Sequence, residues 1–153
     1  MVERGGTGSE TDDAKRLQLP GESLEELALL HTFFDRLGRE AGWPEKLTMD
    51  LLLCCEELLT NTISYGFAEK RSSEPRQVEL SVSRRPGCVT LELSDNATAF
   101  NPLLRPDPDL SLDVEDRPIG GLGVYFVKQI MDEIQYEPTA SNTGNKLILR
   151  KHL

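Results

Sequence analysis

The stretch EKLTMDLLLCCEELLTNTISYG, residues 45–66, decides the fold. At about 100° per residue, Leu51, Leu52, Cys55, Leu58, Leu59, Thr62 and Ile63 fall in one arc, while Glu57, Asn61 and Ser64 fall opposite. Such a segment is a helix with two duties: one face closes a core, and the other carries polar groups that packing does not require. Pro44 or Glu45 opens it, and Gly66 closes it after Tyr65.

Toward the N-terminus, Ala41-Gly42-Trp43-Pro44 separates this helix from another, predicted from Ser23 to Arg39. There Ser23 and Glu26 form a capping box, and Leu24, Leu27, Leu30, His31, Phe34 and Leu37 recur at helical spacing. His31 falls on that inward stripe, which favours core packing or a helix edge over a phosphoacceptor role. Leu17 and Leu19 alternate within Arg16 to Pro20, a short strand. Residues 1–14 are Gly, Ser, Thr and acid without periodicity, and read as a disordered lead-in.

Toward the C-terminus, Val78, Leu80 and Val82 alternate, as do Val89, Leu91 and Leu93, around a turn at Arg84-Arg85-Pro86-Gly87, which predicts a hairpin. From Asp95 to Gly120 the chain is rich in Pro and acid, a length of connection typical of lids, here about residues 99–119. A third helix is predicted from Gly121-Leu122-Gly123 to about Asp132. Ile134-Gln135-Tyr136, a turn through Ser141 to Asn145, and a last strand from Lys146 to Arg150 follow.

With 153 residues, 38% of them hydrophobic and 28% charged, residues 15–153 suffice for one domain with its own core. Asp and Glu number 26 against 17 Lys and Arg, a formal charge of -9, so a phosphate backbone is repelled and no nucleic-acid partner is expected. The longest apolar run, Leu51 to Cys55, is far short of the roughly 20 residues that span a bilayer, and the N-terminal residues lack a signal-peptide core. Neither membrane nor export is expected. Cys54, Cys55 and Cys88 are an odd set without CxxC, which suits reduced thiols in a cytoplasm better than disulfides or zinc, with Cys55 as core filler. GxSxG, HExxH and GxxxxGK[ST] are absent, and the only histidines are His31 and His152.

Three patterns bear on chemistry. Glu57 and Asn61 stand at i and i+4 on the face the core does not claim. An amide oxygen is a hard ligand suited to Mg²⁺, and a carboxylate one turn away can take a proton from a hydroxyl nucleophile; the other reading is a solvated polar face. Asp95 ends a strand, and Asn96-Ala97 turn the chain away. A carboxylate buried there can accept from an exocyclic amine such as that of adenine, or can merely form a turn. Gly120, Gly121 and Gly123 open a helix, where bare N–H groups and the helix dipole favour phosphate, although glycines also serve plain turns.

In this order, the three patterns resemble the nucleotide-binding boxes of the GHKL ATPase superfamily, which holds gyrase, histidine kinases and MutL-type ATPases. Within it, CEELLTNTISYGF (55–67), LSDNATAFNPL (93–103), GGLGVYFVKQIMDEIQY (120–136) and GNKLILRK (144–151) look like the anti-sigma factor serine/threonine kinases of bacterial partner switching. The likeness runs from Leu17 to Lys151. Histidine-kinase catalytic domains share the fold, but a dimerisation helix with a phosphoacceptor histidine is missing here.

The resemblance implies a two-layer α/β sandwich: a mixed, mostly antiparallel sheet with helices on one face and an ATP cleft between helices and lid. It implies ATP and Mg²⁺ as cofactors, a sigma factor and an anti-anti-sigma (STAS) protein as partners, a homodimer as a possible assembly, and γ-phosphate transfer to a partner serine. Position by position, it makes Glu57 the general base and Asn61 the Mg²⁺ ligand, gives Asp95 the adenine amine, and gives Gly121 and Gly123 the phosphates. Arg117 meets a phosphate charge on this reading, or is a solvated lid arginine. Ala97 stands where the family usually has the glycine of Asp-x-Gly. If that glycine has a conformation alanine resists, adenine binding weakens or the turn is redrawn. The alternative function is a catalytically inactive, nucleotide-dependent regulatory binding module.

Overall fold

Alternation along two strands sets the architecture. In β2 (Val78–Arg85) and β3 (Cys88–Asp95), Val78, Leu80, Val82, Val89, Leu91 and Leu93 are buried on one face, while Glu79, Ser81, Ser83, Thr90, Glu92 and Ser94 stay partly exposed on the other. Gly87, with φ of 78°, closes the hairpin between them. The chain is seen here in a computed structural model that describes residues 14–68, 74–104, 106–113, 115, 122–139 and 144–153. The expected lead-in, apart from Ala14, lies outside the described residues.

Three more strands complete the sheet: β1 (Lys15–Leu19), β4 (Glu133–Pro138) and β5 (Asn145–His152), in the order β1-β2-β3-β5-β4. Each pairing is antiparallel, in line with the expected mostly antiparallel sheet but without the parallel pair that a mixed one would have. The chain does cross over between β3 and β4, which run in the same direction. However, β5 inserts between them, so the crossover makes no parallel pair.

Helices α1 (Leu27–Ala41), α2 (Glu45–Asn61) and α3 (Leu122–Ile130) cover one face of the sheet. Phe34, Leu30, Leu51, Leu59, Phe67, Leu80, Leu91 and Leu149 are wholly buried between the layers. The capping box forms at Ser23 and Glu26, but its first turn, Leu24–Glu26, is a 3₁₀ helix. Glu26 is itself buried, and its carboxylate accepts the N–H groups of Gly21, Glu22 and Ser23 at 2.7, 2.8 and 2.9 Å. Gly42, in the left-handed region at φ 66°, ends α1.

One open reading from periodicity is decided and one expectation changes. His31 is exposed and its ring meets the Glu56 carboxylate at the edge of the helix layer, because Leu30, Phe34, Leu37 and Gly38 alone form the buried stripe of α1. The second helix does not stay α-helical to Tyr65. It ends at Asn61 and runs on as a π-helical turn, Thr62–Gly66, in which the Phe67 N–H donates to the Thr62 carbonyl at 2.9 Å. Among the described residues, no helix is long and apolar enough to cross a membrane.

Both adjacent cysteines of α2 are buried, so Cys54 joins Cys55 in the core. Burial pushes the Cys54 thiol up to about 12, with Asp50 adding to the shift, and burial raises Cys55 further still. Since the thiolate is the reactive form, both are inert in the native state. Cys88 is partly exposed beside the hairpin turn. Alkylation of the native protein at pH 8, read by mass spectrometry, is therefore expected to modify Cys88 alone, with Cys54 and Cys55 following only in denaturant; native labelling of Cys54 would contradict this packing.

Candidate functional site

Sheet register brings the polar groups together. The last residue of β3, Asp95, lies opposite the first residue of β5, Asn145. Asp95 Oδ1 accepts the Ala97 N–H at 3.0 Å and an Asn145 Nδ2 hydrogen at 2.9 Å, and Oδ2 lies 3.4 Å from the Thr62 hydroxyl on the π turn. Donors from two elements fix the orientation of the carboxylate at the strand end.

The turn after Asp95 accommodates alanine. Ala97 is buried, and its methyl stands over Gly66, where an added Cβ would come within 3.0 Å. Asn96 fixes the turn from outside: its Oδ1 accepts the Gln77 N–H at 2.8 Å, and its Nδ2 donates to the Pro75 carbonyl at 2.8 Å. The Asp95-Asn96-Ala97 departure is thus matched by a glycine on the facing turn and a side-chain clamp to the strand before β2.

These groups line a cavity of about 360 Å³, within the usual size range of small-molecule sites. Asn61, Thr62, Asp95, Ala97, Tyr136 and Asn145 supply polar and backbone groups, and Leu58, Val124 and Leu147 supply apolar wall. The Tyr136 hydroxyl donates to Asn145 Oδ1 at 2.6 Å, and its pKa is raised by burial and then by the Asp95 charge.

Glu57, one turn before Asn61, stands outside that wall. Its carboxylate lies against Gly123 in the first turn of α3, where a Cβ on Gly123 would collide with Oε2. A negative group there is favoured by the helix dipole. The structure thus brings Asn61, Asp95 and Ala97 onto one cavity and sets Glu57 with Gly123 next to it. Gly121 and Arg117 lie outside the described residues. Beyond the cavity mouth, Asp107 pairs with Lys128 of α3 at 2.9 Å, tying the long connection to the helix layer.

Among the described residues, no group of three or more His, Cys, Asp or Glu could hold a metal ion by itself. Mg²⁺ is commonly bound through one or two protein oxygens together with substrate phosphates and not by a protein cage, and Asn61 places one carboxamide on the cavity wall.

Sequence reasoning missed Thr62, Tyr136 and Asn145. Thr62 falls in the core arc by periodicity, yet it is only partly buried, and its hydroxyl lies between the Leu58 carbonyl at 3.1 Å and Asp95 Oδ2 at 3.4 Å. By sequence Asn145 ends a turn, and Tyr136 is a strand residue without a task. The one available signal was a carboxamide at the start of a strand whose middle, Leu147-Ile148-Leu149, is apolar.

A five-stranded antiparallel sheet with helices on one face, and a carboxylate-floored cavity between sheet and helices, defines the class. The chain belongs to the histidine kinase-like ATPase domain family, whose sequence model matches residues 22–151. It is similar to the serine/threonine-protein kinase BtrW of Bordetella bronchiseptica, 27% identical over 120 residues, covering 78% of this chain and 81% of that protein. It is also similar to the serine-protein kinase RsbW of Listeria monocytogenes, 25% identical over 147 residues, covering 92% and 91%, and to RsbW of Listeria innocua at 24%.

The Glu57–Gly123 contact can be measured by a double-mutant cycle. Alanine in a helix is favoured over glycine by about 1 kcal/mol, so Gly123→Ala in a Glu57→Ala background is expected to stabilise the protein in urea unfolding. With Glu57 present, crowding is expected to cancel that gain, giving a coupling of about 1 kcal/mol. A coupling of zero would show that the two residues do not touch.

Proposed function

We propose that this chain is an ATP-dependent anti-sigma factor serine kinase. It holds a sigma factor in the cytoplasm and transfers the ATP γ-phosphate to a serine of an anti-anti-sigma, STAS-type partner. The observation that carries this reading is the placement of Asn61 and Asp95 on one cavity with Glu57 one helical turn beyond, at the N-terminal end of α3. The serine-kinase relatives, which align over most of the chain, support it.

In this reading Asp95 accepts the exocyclic amine of adenine, and Ala97 and Gly66 shape the floor beneath the base. The Asn61 oxygen orients bound Mg²⁺, which supplies neutralisation of phosphate charge. Gly123, with Gly121, lets the phosphates approach the backbone of α3, and Arg117 meets a phosphate charge from the lid, residues 99–119. Glu57 takes the proton of the partner's serine hydroxyl as the phosphate is transferred. Most of the rate enhancement is positioning and electrostatics.

Two measurements test the assignment. Glu57→Gln is expected to slow γ-phosphate transfer to a STAS partner by about 10²- to 10⁴-fold, with ATP affinity little changed. Unimpaired transfer would remove Glu57 as the base, and ATP binding without any transfer by the unaltered protein would leave a regulatory binding module. Asp95→Asn is expected to weaken ATP strongly and GTP little in calorimetric titrations, because guanine presents a carbonyl where adenine presents a donor amine. Equal losses would count against Asp95 as the base-reading group.

A further inference from the structure

The seam between α2 and α3 carries exposed apolar side chains beside Glu57. The two helices pack against each other, with the Glu57 carboxylate against Gly123 at the start of α3. At the far end of α3 the Ile130 carbonyl accepts a hydrogen bond from the Lys151 ammonium at 2.7 Å, and the same charge opposes the upward shift of the Cys54 thiol, three residues before Glu57. The helices are therefore antiparallel, both leading away from the Glu57–Gly123 contact toward Cys54. One turn from that contact, on the matching side of each helix, stand Leu53 and Phe126, and Met49 stands one turn further along α2. Leu53 is 43% exposed, Phe126 48% and Met49 54%, while Leu52, Cys54 and Val127 next to them are buried.

Charges on the surrounding surface are matched within the chain. Lys46 Nζ meets Asp50 Oδ2 at 2.7 Å, Lys128 Nζ meets Asp107 Oδ1 at 2.9 Å, and the His31 ring meets the Glu56 carboxylate. Single exposed apolar residues are ordinary, but Met, Leu and Phe grouped inside a polar rim have the composition of an interface core. With the rim charges already opposed to one another, a cover for this patch has no countercharge to supply, which favours a neutral apolar protein surface.

Glu57 decides which protein that is. Leu58 and Leu59 bury the sheet side of α2, so a hydroxyl carried by another protein reaches the carboxylate from the solvent side of the seam. Leu53 and Phe126 lie about 5 Å along the helix axes from that point, one turn away. A protein that sets a serine beside Glu57 has to lie over them.

We propose that Met49, Leu53 and Phe126 form the docking surface for the phosphoacceptor protein, which covers them with apolar side chains next to its serine. The assignment rests on the reading of Glu57 as the base for serine phosphorylation, and adds a surface for recognising the acceptor that is separate from the nucleotide cavity.

The test uses the full chain with ATP and Mg²⁺ and the STAS-type protein to which it transfers phosphate. Leu53→Glu and, separately, Met49→Glu place a charge at an exposed helix position where glutamate is well tolerated. Each is expected to raise the KM for the acceptor by about 10- to 100-fold, the usual range for disturbing the centre of an interface, with a smaller effect on kcat and with calorimetric ATP affinity retained. Phe126→Ala is expected to act in the same direction. Leu153→Glu, an equal change at the opposite end of the sheet, is expected to leave the KM where it was. The docking surface is overturned if Leu53→Glu and Met49→Glu keep the original KM, if Leu153→Glu raises it as much, or if ATP affinity falls in step with transfer. It is also overturned if Leu53→Glu transfers normally but splits a dimer of the chain in sedimentation or loses a sigma factor, since the patch would then belong to that protein. Normal transfer by Leu53→Glu beside slow transfer by Glu57→Gln defeats the docking surface alone. Normal transfer by Glu57→Gln defeats the base, and with it the argument that brings the acceptor to this seam.

Discussion

Helix α2 must satisfy two surfaces with one backbone, and the rest of the structure follows from how it does so. Its buried side, Leu51, Leu52, Cys54, Cys55, Leu58 and Leu59, closes the core against the sheet. Its other side carries Glu57 and Asn61. A regular helix serves both only while the two arcs stay apart. At Thr62 the chain has to change face, and the π turn of Thr62–Gly66 is the device. Ile63 within it stays in the core, and the hydroxyl of Thr62, which donates to the Leu58 carbonyl at 3.1 Å, also lies 3.4 Å from Asp95 Oδ2. The π turn also brings Gly66 under Ala97.

The cavity that results is a polar site built at the open end of an apolar layer. A half-buried carboxylate in such a place is costly unless it is paired or hydrogen-bonded. Neutral donors contribute to the pairing here: a backbone N–H and a carboxamide, with a more distant hydroxyl beside them.

The Asp95-Asn96-Ala97 turn shows how a departure from a family pattern is absorbed. A methyl in place of the usual hydrogen needs space on the facing element, and Gly66 provides it. Asn96 clamps the turn to residues 75–77. The departure and its accommodation lie on segments about thirty residues apart, so neither is legible without the other.

Much of the fold was legible locally. Alternation marked β2 and β3, helical spacing marked α1 and α2, and Ser23 with Glu26 marked the first cap, because each depends on neighbours a few residues away. The spacing of Glu57 and Asn61 on one helix face was legible for the same reason. The partner sets were not. That β5 separates β3 from β4, that Asn145 stands opposite Asp95, and that Thr62 and Tyr136 join them are consequences of strand order and register. Whether His31 enters the core or stays at the helix edge was open, because a helical stripe has an edge that only the packed neighbour defines. The sequence by itself determined the apolar patterns that select the two layers and the residue types able to serve a nucleotide. The tertiary structure alone decided which polar groups meet, since hydrogen bonds across a sheet end depend on a register set by the burial of every strand at once.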